Sequence, residues 1–129
     1  HMIKIAAKAG FTGIEPMVLE ISKNVLGCSK YWLGPQIDPA KMKDALAKHK
    51  MKLAGLALVC AWDGEKETPA EKEAADFAIK YLKHFPGAML GTVTLPSGRT
   101  NDLQKSRLNI ARTVNAVSKR AAEQGIKCT

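Results

Sequence analysis

The sequence has few of the residues that build catalytic and metal centres. It contains three histidines, three cysteines and 5% aromatic residues in 129 positions. Cys28, Cys60 and Cys128 are odd in number and have no C-x-x-C spacing, which predicts reduced thiols in a cytoplasmic protein. Neither a Walker loop nor a nucleophile elbow occurs, and no Asp/Glu/His cluster completes a divalent-metal site. The chain therefore shows no complete catalytic motif.

Long hydrophobic runs are also missing. No apolar run approaches the roughly 20 residues of a membrane span and no signal peptide opens the chain, so we expect no membrane partner. The composition, with 46% hydrophobic and 25% charged residues, is that of an ordinary globular protein. Residues 1–2 are typical of a cloning scar, and residues 3–129 are predicted to form a single domain.

The excess of positive charge has two interpretations. The chain has 20 Lys and Arg residues and 12 Asp and Glu residues, a formal net charge of +8. Such a charge is suited to binding a polyanion. However, lysines occur in all the helical segments, where solvated faces normally carry them. Few aromatic residues accompany them to stack on bases. We therefore do not expect a nucleic-acid partner, which would bind with steep salt dependence. A phosphorylated small molecule is still a ligand compatible with this positive charge.

The sequence does contain a repeated pattern of helix, turn and apolar run. At four places an apolar run follows a helical pattern and a turn, marked by Gly13, Gly55, Gly87 and Gly125. The intervals of 42, 32 and 38 residues suit one strand and one crossover helix per unit. Repeated β-α units build a parallel sheet covered by helices. We predict an α/β fold, a partial TIM barrel of about four β-α units, since a complete barrel has about 250 residues.

The first unit is predicted to contain a short helix before residue 10 and a strand over residues 11–15. Pro16 has no N–H to donate and is expected to end the pairing of this strand. Residues 17–26 are predicted to form one or two helical turns, with Pro16 at the first helical position. A polar and aromatic connection is expected over residues 27–36.

Start and stop signals define the later elements more clearly. Asp38-Pro39 is an N-cap followed by proline, and Thr68-Pro69-Ala70-Glu71 is a capping box. The long last helix has apolar positions that include Leu103 and Leu108, and Gly125 follows its end. The predicted elements are helices over 38–49, 68–85 and 101–124 and strands over 52–60, 87–95 and 126–129.

Ligands in parallel β-α folds bind beyond the carboxyl ends of the strands, because loops and side chains converge there. Glu15 is the sharpest candidate, since a carboxylate that ends an apolar strand needs solvent or a partner. Trp62 suits the floor of a sugar pocket, with packing at the rim as the alternative. Ser97 and Arg99 lie beside a helix start and favour a phosphate, with an ordinary exposed turn as the alternative.

A family resemblance adds to this picture. Ala6-Ala7-Lys8-Ala9-Gly10-Phe11-Thr12-Gly13-Ile14-Glu15 resembles the A-x-x-G-[FY]-x-G-[IV]-E segment of the sugar phosphate isomerases/epimerases, the xylose-isomerase-like TIM barrels. Residues 46–53, 74–90 and 121–127 look like the family's leads into its third, fourth and fifth strands. The turn at 84–87 departs from the usual short one. The order and spacing of these segments carry the resemblance.

The resemblance implies a function for the family and also implies that this chain lacks part of the family's catalytic site. Family members move a proton between adjacent sugar carbons with a divalent metal, often Mn²⁺, Mg²⁺, Co²⁺ or Zn²⁺, held by residues of later strands. The sequence stops at Thr129, before the first of these ligands, so we expect no metal, no other cofactor and no catalytic residue in this chain. The substrate-side positions that the resemblance carries over are Glu15, Trp62, Thr94, Ser97 and Arg99.

The leading interpretation is a half-barrel derived from a sugar phosphate isomerase/epimerase and inactive on its own. Exposed sheet edges and apolar faces predict a homodimer or larger homo-oligomer, formed by face-to-face packing or by domain swapping. Two alternatives stay open. One is an isomerase or epimerase that is active as an assembled oligomer, and the other is a module that only binds a sugar or sugar phosphate.

Overall fold

The computed structural model describes residues 2–19, 38–95 and 97–129. In chain order the elements are α1 (Met2–Lys8), β1 (Gly13–Ile14), β2 (Met17–Leu19), α2 (Pro39–Lys48), β3 (Lys52–Leu53), β4 (Gly55–Cys60), α3 (Pro69–Leu82), β5 (Met89–Thr94) and α4 (Leu103–Glu123). The predicted connection over 27–36 and the predicted helical turns over 20–26 lie outside the described residues. Of the helices in the described ranges, none is both long and apolar enough to cross a membrane.

Local capping chemistry decides where the helices begin. The Asp38 side chain accepts a hydrogen bond from Ala40 N at 2.7 Å at the start of α2. At α3, Thr68 Oγ1 accepts from Glu71 N at 3.1 Å, while Glu71 Oε2 accepts from Thr68 N at 2.6 Å. The predicted capping box is therefore confirmed. Asp102 caps α4 by accepting from two backbone N–H groups.

The strands pair in parallel. β1 pairs with β3, and β4 lies between β2 and β5. Ala54, between β3 and β4, connects the two parts of the sheet: its N–H donates to the Ile14 carbonyl at 2.9 Å and its carbonyl accepts from Met89 N at 3.0 Å. A parallel bridge between Leu90 and Cys128 adds the start of a further strand next to β5. The described residues thus form a mixed α/β fold with parallel strands and crossover helices, as predicted.

The segment after Pro16 corrects the prediction of a helix from residue 17. Met17–Leu19 is a strand that pairs in parallel with residues 57–59 of β4. Pro16 lacks an N–H, yet its carbonyl accepts a hydrogen bond from Ala57 N at 2.9 Å. Proline therefore removes one donor from the ladder and does not end it.

The sheet has one face covered by helices and one open face. Alternation along β4 and β5 directs Leu56, Leu58 and Leu90 to the covered face, where all three are 0% exposed. On the open face Met89 and Val93 remain 41% and 43% exposed. β4 is buried along nearly its whole length, as its continuous apolar run predicted. β5 is buried mainly on its covered face.

Four corners between a helix and the following strand have a left-handed backbone. The residues at these corners are Gly10 (φ 88°), Lys50 (φ 54°), Gly87 (φ 87°) and Gly125 (φ 75°). Their spacings of 40, 37 and 38 residues are more even than those of the predicted markers. The markers Gly13 and Gly55 lie within strands, as the predicted strands over 11–15 and 52–60 placed them, and the corners before these strands are at Gly10 and Lys50.

The buried side of α4 is largely polar. Its members are Ser106, Asn109, Thr113, Val117 and Ala121. The apolar Leu103 and Leu108 are instead 63% and 71% exposed. The polar side of α4 lies against the loop that precedes α3, as hydrogen bonds from Asn109 and Arg112 show. Hydrophobic positions alone therefore do not indicate how this helix is oriented.

Candidate functional site

The loops that follow β4 and β5 meet at Asp63, a fully buried carboxylate. Asp63 Oδ2 accepts hydrogen bonds from three successive backbone N–H groups, those of Ser97 (2.9 Å), Gly98 (2.8 Å) and Arg99 (3.0 Å). Asp63 Oδ1 accepts from Ser97 Oγ at 3.0 Å and from Arg99 Nε at 2.9 Å. The loop over 97–99 does form an anion-binding arrangement. Its anion in this structure is the side chain of Asp63.

Glu71, in the first turn of α3, is the second fully buried carboxylate here. Its Oε1 accepts a hydrogen bond from Trp62 N at 2.7 Å. Arg99 donates to both oxygens, with Nη1 at 3.3 Å from Oε2 and Nη2 bonded to Oε1. The Arg99 guanidinium thus bridges carboxylates from two segments of the chain. We call Asp63, Glu71 and Arg99 the charged cluster.

At Asp63 the hydrogen bonds together outweigh the effect of burial on the pKa. Burial by itself would raise the pKa of Asp63, but the hydrogen bonds from Arg99, Ser97 and Gly98 lower that pKa from 3.8 to about 2. Two buried carboxylates nevertheless share a single guanidinium. Loss of the guanidinium would leave both carboxylates without a cation, which is the costly way to break a buried ion pair.

Trp62 joins the charged cluster to the end of β4 through a strained backbone. Its φ of 50° lies in the left-handed region that residues other than glycine rarely adopt. Its side chain is 0% exposed, and its Nε1 has no hydrogen-bond partner in the described part of the chain. The bonds made by Asp63 and Glu71 on either side hold this conformation. A ligand would reach the indole face only if the covering residues moved.

Helix α4 holds the loop between β4 and α3 at three points. The contacts are Asn109 Nδ2 to the Asp63 carbonyl (3.0 Å), Arg112 Nη2 to the Glu65 carbonyl, and Arg120 to both oxygens of Glu67 (2.9 and 3.0 Å). The polar buried side of α4 supplies the first of these contacts, and two arginines supply the others. The charged cluster is therefore supported from α4 as well as from its own loops.

Glu15 lies apart from the charged cluster, on the open face of the sheet. An ideal Cβ on Gly91 would lie 2.8 Å from Glu15 Oε1, and one on Gly55 would lie 3.4 Å from it. The carboxylate therefore occupies space that a side chain at position 91 would fill, whereas a Cβ at position 55 would first meet the Met89 carbonyl oxygen at 2.5 Å. Thr129 Oγ1 would lie 3.8 Å from the same Gly91 Cβ. Within the described residues, Glu15 has neither a hydrogen bond nor an ion pair.

The structure brings together three of the five predicted site residues. Trp62, Ser97 and Arg99 all contact Asp63 or Glu71. Thr94 ends β5 and alternates onto the face that the helices cover. Glu15 lies on the opposite, open face. The binding roles of these five residues stay predictions.

The sequence analysis did not identify the residues that hold the charged cluster together. Glu71 was recognised as a capping residue and not as a buried charge, and Asn109 and Arg112 were not singled out. One available signal was the polar spacing of Ser106, Asn109 and Thr113, which repeats every three or four residues along α4. Such a stripe indicates a polar contact for one side of a helix.

The described residues do not fit the divalent metal that the family resemblance implies. Across residues 2–19, 38–95 and 97–129 no group of three or more His, Cys, Asp or Glu side chains is arranged to hold a metal ion. The buried carboxylates of Asp63 and Glu71 contact Arg99 instead. We therefore derive no metal-dependent step for this chain.

Comparison with known proteins assigns the chain to no family. No family model and no curated protein matches the chain. The resemblance of residues 6–15 to the sugar phosphate isomerases/epimerases stays a prediction.

Proposed function

We propose that this chain is a sugar-binding half-barrel derived from a sugar phosphate isomerase/epimerase and located in the cytoplasm. Parallel strands joined by crossover helices support the β/α-barrel ancestry. We propose no catalysis for the isolated chain, because the family reaction needs metal ligands that the described residues do not form. The proposed activity is recognition of sugar hydroxyl groups.

The position of Glu15 carries this proposal. Its carboxylate is exposed on the open face, where Gly55 and Gly91 place no side chain beside it. An ionised carboxylate accepts hydrogen bonds at both oxygens, and sugar hydroxyl groups are suitable donors. Glu15 has no such donor among the described residues. A sugar ring beside the two glycines would supply it.

Neutral sugars fit this geometry more directly than sugar phosphates. The Arg99 guanidinium already contacts Asp63 and Glu71, and Ser97 already donates to Asp63. A ligand phosphate would have to replace a carboxylate of the protein at these donors. We therefore propose that Glu15 makes the main contact and that phosphate recognition at Ser97 and Arg99 is secondary.

Titration calorimetry with a panel of sugars and their phosphates tests this function. Glu15→Gln is expected to weaken sugar binding by about tenfold, because a hydrogen bond to a charged acceptor is lost. Gly91→Ala should have a similar effect by displacing the Glu15 carboxylate. Glu73→Gln, which changes an exposed glutamate of α3, is the matched control. No saturable heat with any sugar, or equal weakening in the control, would contradict the proposal.

Self-association of the open face belongs to the same proposal. The exposed apolar residues of this face are Met17 (49%), Met89 (41%), Val93 (43%) and Leu95 (42%). A second copy would cover them. Sedimentation across a dilution series is expected to give twice the chain mass of 14.0 kDa, and Val93→Glu is expected to give the monomer. A wild-type monomer at all concentrations would contradict self-association.

Metal-dependent proton exchange at a sugar carbon, measured on the assembled sample, tests the alternative of an active oligomer.

A further inference from the structure

The corners between helices and strands collect lysines at one end of the sheet. Because the strands are parallel, residues 8–12, 48–52, 80–88 and 123–127 all lie at the amino ends of strands. These segments contain seven lysines and one carboxylate, that of Glu123. The lysines are all exposed, and they are Lys8, Lys48, Lys50, Lys52, Lys80, Lys83 and Lys127. We call the four segments the basic rim.

The segments of the basic rim are neighbours in space. Lys52 N donates to the Thr12 carbonyl at 2.9 Å, which joins the first two segments. Lys83 Nζ donates to Gln124 Oε1 at 2.9 Å, which joins the last two. β4 and β5, the strands that follow the second and third segments, are adjacent in the sheet. The lysines therefore belong to one surface.

Helix dipoles account for only part of this distribution. A lysine in the last turn of a helix interacts favourably with the dipole, as Lys8, Lys48 and Lys80 do. Lys52 and Lys127 lie beyond the helix ends, at the following strands. Of the ion pairs in the described part of the chain, none involves a lysine of the basic rim. These positive charges are available to an external anion.

Lys50 indicates that charge at this end has a role beyond stability. The other three corners have glycine at the left-handed position, where a residue without Cβ is unstrained. Lys50 adopts a φ of 54° at the equivalent position. A lysine there adds a positive charge to the rim while straining the backbone. Strain of this kind is typical of functional positions.

The surroundings of the lysines indicate the class of partner. Phe11 is 64% exposed within the rim, whereas Phe85 of the third segment is buried. Binding to a membrane surface uses a whole apolar helix face beside the lysines. A nucleic acid needs cations along its phosphates and gains from an aromatic ring that stacks on a base. We propose that the basic rim binds nucleic acid through its phosphodiester backbone, with Phe11 stacking on a base.

This proposal differs from the expectation drawn from the sequence. The lysines are dispersed along the chain, which argued for solvated helix faces. The parallel topology brings seven of them to one end of the sheet, which the order of residues does not show. The surface is also distinct from the proposed sugar site, because the Glu15 carboxylate lies on the open face of the sheet, beside Gly55 and Gly91.

Fluorescence anisotropy of a labelled oligothymidylate tests the proposal on the full chain. With about five phosphate contacts, the Kd is expected to rise about 100-fold between about 50 and 200 mM salt. Lys52→Gln/Lys127→Gln should raise the Kd at the lower salt by about tenfold and reduce the salt slope by about 1.4. Phe11→Ala should raise the Kd about fivefold or more and leave the slope unchanged.

A matched control removes the same charge from other positions. Lys41→Gln/Lys66→Gln changes two exposed lysines near the helix starts, and its Kd is expected to stay within about twofold of the wild type. Equal weakening in this control would overturn the proposal, because net charge alone would then explain binding. Absence of binding to oligothymidylate would also overturn it. Binding to phosphatidylserine vesicles in place of oligothymidylate would assign the rim to a membrane surface and would equally overturn the proposal.

Discussion

At the carboxyl ends of the strands, Asp63 and Glu71 are fully buried and share the guanidinium of Arg99. At the amino ends, the lysines of the basic rim are exposed and have no carboxylate partner within the described residues. Helix α3 contributes to both ends, with Glu71 in its first turn and Lys80 in its last turn, as the helix dipole favours. At the carboxyl ends of the strands the charges are thus paired with one another inside the protein, whereas at the amino ends they are exposed to solvent.

This comparison shows that the partner of a charge decides its role. A buried carboxylate with several hydrogen bonds fixes the loops around it, and its loss is costly. An exposed lysine contributes little to the free energy of unfolding and remains available for binding. Substitutions at the carboxyl ends should therefore change unfolding strongly. Substitutions in the basic rim should change unfolding little.

The largest effect is expected for Arg99→Ala. The substitution leaves Asp63 and Glu71 buried without a cation, which should lower the free energy of unfolding by about 3 kcal/mol. Urea unfolding followed by circular dichroism measures this loss. Arg107→Ala removes an exposed arginine from α4 and should change the free energy by less than about 0.5 kcal/mol. Similar losses in both variants would show that the charged cluster does not stabilise the two loops.

Acid should weaken the same end of the molecule. The pKa of Asp63 is lowered from 3.8 to about 2, so its stabilisation is complete above about pH 4 and is lost as the pH falls toward 2. The loss corresponds to roughly 2 kcal/mol. Unfolding of the wild type and of Asp63→Asn, measured from pH 5 to pH 2, should show the gap between the two curves narrowing by that amount. A gap that stays constant with pH would contradict this assignment.

Removal of the α3 cap should have a smaller effect. Thr68→Ala leaves Glu71 N without its acceptor at the helix start and should lower the free energy of unfolding by about 1 kcal/mol. Thr68→Ser retains the hydroxyl group and should stay within a few tenths of a kcal/mol of the wild type. Thermal unfolding distinguishes the two. A serine variant as unstable as the alanine variant would point to the lost methyl group rather than to the cap.

The smallest effect, of opposite sign, is expected in the basic rim. Lys50→Gly relieves the strained φ of 54° and should raise the free energy of unfolding by about 0.5 kcal/mol. Gly125→Ala is the converse control, since an ideal Cβ there meets nothing within 4 Å and only its φ of 75° opposes a side chain. Its expected loss is about 1 kcal/mol. Chemical denaturation measures both, and destabilisation by Lys50→Gly would show that contacts of Lys50 outweigh the strain.

Much of the fold was predictable because its signals are local. The caps at Asp38 and Thr68 each act within three residues, and both helices begin where predicted. The continuous apolar run of β4 likewise indicated a strand buried on both faces. Pro16 misled the prediction because a missing N–H does not show where the carbonyl pairs. The orientation of α4 was missed because its buried side contacts a polar loop.

The candidate site was predictable only as a set of positions. Placing Trp62 and Arg99 after strands follows from the β-α pattern, and in the structure both contact Glu71. Glu15, expected at the end of a strand, lies between β1 and β2. The pattern does not show that Arg99 is bound by Asp63 and Glu71, since those contacts depend on how two loops close. Nor does it show that Glu15 lies over Gly91, because this depends on the register of neighbouring strands.

The sequence by itself determined the helix starts and the parallel β-α order, because capping and hydrophobic periodicity act over a few neighbouring residues. Only the tertiary structure decided which charges are paired. Arg99 and Asp63 are 36 residues apart in the chain, and strand pairing brings them into contact. The same pairing gathers the lysines of the basic rim at one end of the sheet. Residue types are local properties of a chain, whereas the partners of a charge depend on contacts between distant segments.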